Sequence, residues 1–271
     1  MRLVSYDRGG VRRLGALVVA ARGGDGGAAS RREIERNATV VDLADAIGHP
    51  AFPTTMEELV ARSGGTLVDA AEDAATREDN AGEFGVTRPR LLAPFVPASR
   101  TRVIGPNDEP PWPRFQAYLD HSPEIGCIVG RSAHDLSPRQ ARNVIFGYVL
   151  VVRWLAATGR RATVALSLGP WIATPPDVDL RRGHVRSSVN GGAAITTPME
   201  PARWIFPDLI SERSKGNGGI RAGALLTTSL GRSTRGLGIP LDPGTTVEVE
   251  ADGLGSIRAT LGAAAEERSA I

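Results

Sequence analysis

Residues 118–148, YLDHSPEIGCIVGRSAHDLSPRQARNVIFGY, decide how the rest of the chain is read. The stretch opens on a polar run, Asp120-His121-Ser122-Pro123-Glu124, whose residue types favour a turn. A short apolar strand is expected over 125–129, closed by Gly130. Ser137-Pro138 then has the form of a helix start, a hydroxyl cap before a first-turn proline. Ala141, Val144 and Ile145 fall at helical spacing and Gly147 ends the run, which predicts a helix near 137–146. A second apolar run, 149–152, follows. This order puts Glu124 at the mouth of the first strand and Arg153 at the end of the second, so both point to one site.

Working outward, the downstream part is dominated by strands, expected at 102–105, 148–154, 163–168, 184–190, 223–228, 246–250 and 254–260, with a further helix near 201–214. Non-local strands with few helices argue for a β-rich α+β domain. Upstream, 3–6, 14–19 and 39–43 read as short strands. Thr54 and Thr55 each stand three residues before a glutamate, the pattern of a capped helix start, and a second helix is expected over 67–77. The proline-punctuated connection 87–99 separates a small amino-terminal α/β domain, 1–90, from the larger domain, 99–271.

Composition narrows the function class. Among 271 residues, 32 basic side chains, mostly Arg, are scattered among 30 acids for a net charge of +2, with no aromatic-interleaved basic stripe. No nucleic-acid partner is therefore expected. No apolar run approaches the roughly 18 residues of a membrane span, so no membrane partner is expected. Cys127 is the single cysteine, which rules out an intrachain disulfide and a cysteine metal cluster. Its ordinary place is a strand interior. The start, MRLVSYDRGG, lacks a basic region followed by an apolar one, and a reducing cytoplasm is the expected compartment. No HExxH spacing, GxSxG elbow or P-loop occurs.

The central stretch resembles the signature of the fumarylacetoacetate hydrolase (FAH) superfamily, roughly D-Y-E-x-E-L-x-V-V-I-G-R, then a helix, then G-Y-x-x-x-N-D. The resemblance continues in Leu168-Gly169-Pro170-Trp171-Ile172, in Val189-Asn190-Gly191, in residues 205–210 (IFPDLI) and in 241–250 (LDPGTTVEVE). Several motifs in the same order cover nearly the whole chain. The resemblance implies a flattened β-roll, a homodimer and a small acidic substrate. In that family three carboxylates, both Glu of E-x-E and the later Asp, hold a divalent cation. Laid on this chain, those positions are Ser122, Glu124 and Arg153, so one carboxylate of three remains. A guanidinium at the third position would repel a dication by about 8 kcal/mol at ~4 Å and an effective dielectric near 20. No metal ligand set and no cofactor are therefore expected. The family's water-activating His and Glu in a lid are also missing, since 106–113 carries four prolines and no histidine.

The remaining candidates follow from the same comparison. Arg153 is expected to pair with Glu124 and to offer donors to substrate in place of the cation. His121 and Glu124 are the candidate proton carriers. A surface histidine in a polar turn is the commoner reading of His121. Arg160, nearest the family's lysine position, Ser122, Ser229 at a family threonine position, and Trp112 are the candidate substrate contacts. Three readings stay open at this stage. One is a metal-independent enzyme performing isomerisation, dehydration or cyclisation on a 2-oxo, β-diketo or enolisable acid, for instance in a biosynthetic pathway. The second is a catalytically silent binding or scaffold protein. The third is a conventional metal-dependent hydrolase or decarboxylase in which Asp120 replaces one carboxylate.

Overall fold

The computed structural model describes residues 1–19, 38–63, 66–112, 119–156, 162–216, 218–229 and 241–262. At the amino end, β1 (Arg2–Arg8), β2 (Val11–Val19) and β3 (Ala38–Asp42) form an antiparallel meander. Four short helices follow: α1 (Leu43–Ile47), α2 (Met56–Ala61), α3 (Thr66–Thr76) and α4 (Glu78–Glu83). The Thr55 hydroxyl caps α2 by accepting from the Glu58 amide, as its sequence pattern predicts. Short strands β4 (Gly85–Thr87), β5 (Arg90–Leu91) and β6 (Val103–Ile104) lead into the central pair.

That pair is β7 (Leu119–Val129) and β8 (Ile145–Ala156), joined through α5 (Pro138–Ala141) and one 3-10 turn, Arg142–Val144. With β9 (Ala162–Ala173) and β12 (Leu225–Ser229) it builds one ten-stranded sheet. The order is β12-β7-β8-β9-β1-β2-β3-β4, with β5 on β1 and β6 parallel to β9. The sheet is therefore continuous from the amino-terminal meander to the later strands, through Leu3 opposite Ile172. A second sheet has the order β11 (Ile195–Pro198), β10 (His184–Val189), β13 (Thr246–Ala251), β14 (Gly255–Thr260). The remaining long helix is α6 (Glu200–Arg213).

Strand alternation sends the central strands' side chains to two different cores. Ile125, Cys127, Val152 and Trp154 pack with the second sheet (Val185, Val247, Val249) and with Phe206 and Ile210 of α6. Ile128, Val149, Val151 and Leu168 pack under Phe52, Met56 and Leu59 of the helical layer. The site grows from the polar side chains on the second of these faces.

Two local expectations need correcting. Asp120–Glu124 is no turn: it is the first half of β7, an eleven-residue strand buried throughout. Neighbouring strands supply backbone partners, and the polar side chains pair with one another, which offsets their burial. Among the described residues β12 pairs with β7 as far as Glu124, opposite Ser229. The expected helix 137–146 is also shorter. Ser137 does form a capping box with Gln140, but the β-branched Ile145 already pairs with Val129 as the first residue of β8.

Candidate active site

Ser122 lies directly opposite Arg153 in the β7–β8 register, and Glu124 lies one side chain further along the same face. Across β7's other edge, Thr227 faces Gly126 and Ser229 faces Glu124. Directly paired residues share a face, so five polar side chains converge without any loop being needed.

The centre is a fork-to-fork ion pair. Arg153 Nε donates to Glu124 Oε1 at 2.7 Å and Nη2 donates to Oε2 at 2.9 Å. Nη2 also donates to Thr227 Oγ1 at 2.7 Å, and Nη1 to Thr163 Oγ1 at 3.2 Å. The Glu124 side chain is 6% exposed and that of Arg153 26%. The carboxylate therefore lies behind the guanidinium, which meets solvent. Beside the pair, Ser122 Oγ and Ser229 Oγ are hydrogen-bonded at 3.0 Å. Arg153 and Thr227 line an open groove of about 900 Å³ whose other walls include Phe95, Pro97 and Leu166.

The structure thus brings Glu124, Arg153, Ser122 and Ser229 together. It does not bring His121 to them. As an odd-numbered residue of β7, His121 points to the opposite face, is 2% exposed and meets Ser187 Oγ of β10 at 2.9 Å through Nε2. Burial pushes its imidazole down to about 4, with the nearby Asp120 charge opposing the shift. Trp112 also packs, half-buried, against that far core. Arg160 lies outside the described residues. Sequence reasoning missed Thr163 and Thr227, the two hydroxyls that orient Arg153. The signal for Thr227 was its position two residues before Ser229, hence on the same face of one strand.

A divalent cation fits these donors badly. Both Glu124 oxygens accept from Arg153, and Ser122 supplies a neutral hydroxyl engaged with Ser229. Asp120 shares their face, yet no group of three His, Cys, Asp or Glu among the described residues could hold a metal ion. Hard cations prefer several anionic oxygens, and a fixed guanidinium is a competitor for the only carboxylate in the pair.

The model of the fumarylacetoacetate (FAA) hydrolase C-terminal family matches residues 74–262. The chain belongs to this family. Solved family structures share its fold at low identity. A maleylpyruvate hydrolase from Sphingobium sp. SYK-6, in complex with manganese(II) ion and pyruvate, is similar at a TM-score of 0.71 and 18% identity over 97% of this chain and 100% of that one. A 2-hydroxyhepta-2,4-diene-1,7-dioate isomerase from Mycobacterium marinum is similar at 0.64 and 19%, over 97% and 98%. A 2,4-didehydro-3-deoxy-L-rhamnonate hydrolase from Sphingomonas sp. (strain SKA58) is 28% identical over 128 residues, 42% of this chain. That match spans 44% of the hydrolase's own length. FAH-family members are enzymes, and hydrolases and isomerases both occur among these relatives. Among the described residues, no helix is long and apolar enough to cross a membrane.

Proposed function

We propose that this FAH-family chain is an enzyme that moves a proton on an enolisable acidic small molecule, a 2-oxo or β-diketo acid, without a divalent metal. The observation that carries the reading is the placement of Arg153, a guanidinium fixed by Glu124, Thr163 and Thr227 at the wall of an open groove. A preorganised cation at that point stabilises the negative charge that develops on a carbonyl oxygen as the adjacent carbon loses its proton. Glu124 is the proton acceptor, because each of its oxygens keeps a lone pair beyond the one taken by Arg153. Ser122 and Ser229 orient the substrate by hydrogen bonding. His121 holds β7 to β10 rather than carrying the proton.

With no carboxylate cluster among the described residues to activate water, the reading favours isomerisation, dehydration or ring closure. The isomerase among the relatives shows that this fold hosts such chemistry in another chain. The open groove beside Arg153 favours an enzyme over a silent scaffold, whose cavity side chains would fill. A homodimer in the cytoplasm is part of the proposal and rests on the family resemblance and the single cysteine.

The test is proton NMR in D2O with a panel of 2-oxo and β-diketo acids, following exchange at the carbon next to the carbonyl. Exchange on at least one acid is expected with and without EDTA, and is expected to vanish in Glu124→Gln and in Arg153→Met. Exchange abolished by EDTA and restored by Mn²⁺ would establish the metal-dependent alternative instead. A folded protein that exchanges none of the panel would favour the silent binder.

A further inference from the structure

We infer that the acid group of the substrate docks on Arg221 and Arg213, at the end of the groove away from Arg153, and that an apolar body spans the distance between. This rests on the proton-transfer reading of the same site. A guanidinium carries five N–H donors. Those of Arg153 go to both Glu124 oxygens, Thr227 and Thr163, which leaves a single N–H. A carboxylate is best held by two parallel N–H groups. The fork of Arg153 is turned inward, so it has one donor for one oxygen, a carbonyl becoming an enolate, and none for the second oxygen of a carboxylate.

Arg213 and Arg221 line the same groove. Both are exposed, and among the described residues neither guanidinium has a hydrogen bond or an ion pair. The acid on that groove, Glu57, does not neutralise them, because its Oε1 accepts from the Val96 amide at 2.8 Å and from Arg12 at 3.4 Å. One end of the groove is therefore electropositive and uncommitted. Phe95, Val96 and Leu225 supply apolar surface to the same groove.

The register sets the span. Thr227 of β12 bonds Arg153, whereas Arg221 begins the turn in which the Ala224 amide donates to its carbonyl, with Ala224 at the level of Val129. Three residues of strand, from Thr227 back to Ala224, cover roughly 10 Å before that turn. That is the length of an extended eight-carbon acid. The substrate class is accordingly an acid with an apolar chain or ring between its carboxylate and its reacting carbonyl.

Octanoate and 1-octanol are the probes, followed by ligand-observed NMR with the full-length protein. Octanoate should bind the wild type and bind Arg213→Gln/Arg221→Gln at least tenfold more weakly, while 1-octanol binds both alike. Arg182→Gln, which removes an exposed arginine that does not line the groove, should bind octanoate as the wild type does. Melting curves confirm that the double variant is folded, as exposure of both side chains leads one to expect. Equal octanoate affinity in wild type and double variant overturns the inference. So does loss of octanoate binding in Arg153→Met but not in the double variant. Neither result touches the proton-transfer reading, which deuterium exchange decides separately.

Discussion

Replacing Arg153 with Met removes the positive half of the pair while keeping most of the side chain's length. Glu124 would be left 5% exposed with its two strongest donors gone. Thr163 and Thr227 would lose the group they orient. Breaking a fully buried pair in this way costs about 3–5 kcal/mol. Because the Arg153 side chain is 26% exposed, water reaches the gap and about 2–3 kcal/mol is the better figure. At about 2.1 cal/mol/K per residue, a chain of 271 residues unfolds with an entropy of about 0.57 kcal/mol/K, so the melting temperature should fall by about 3.5–5 °C. A double-mutant cycle separates the pair from the packing. Glu124→Gln/Arg153→Met should recover most of the loss, since it leaves no unpaired charge on the face. Thermal unfolding by circular dichroism reads all four proteins. If Arg153→Met melts within about 1 °C of the wild type, the fork is not closed in solution and the argument built on it fails.

Three further outcomes follow from the same packing. His121 is held neutral by burial, its imidazole pushed down to about 4 from 6.5. The unfolded chain therefore takes up a proton first. The corresponding stability, up to about 3 kcal/mol, is fully present above pH 6.5 and is lost as pH falls towards 4. Guanidinium titrations at pH 7 and pH 5 should show this loss, and His121→Phe should flatten it. Cys127 is fully buried and its thiol is pushed well up by desolvation, so a thiol reagent should label it only after denaturation. At Gly126 a Cβ would lie 2.8 Å from Val149 Cγ1 and 2.9 Å from Leu225 Cδ1. Gly126→Ala should therefore cost about 1–3 kcal/mol. It should also lower turnover, because Gly126 is opposite Thr227.

The sequence by itself was enough for the family, since ordered motifs from Asp120 to Glu250 carry it. It also pointed to the link between Glu124 and Arg153, a carboxylate and a guanidinium at the ends of two successive apolar runs, which the structure closes into an ion pair. It could not show that Asp120–Glu124 is strand. A polar, proline-containing run favours a turn until a neighbouring strand supplies hydrogen bonds along it, and that partner, β8, comes about 30 residues later. Once that run is extended, alternation alone separates His121 from Ser122 and Glu124 and sends it to the other core. Thr163, Thr227 and the arginines of the groove were out of reach for the same reason. Which side chains meet across a sheet depends on register, and register is set by packing between strands far apart in the chain.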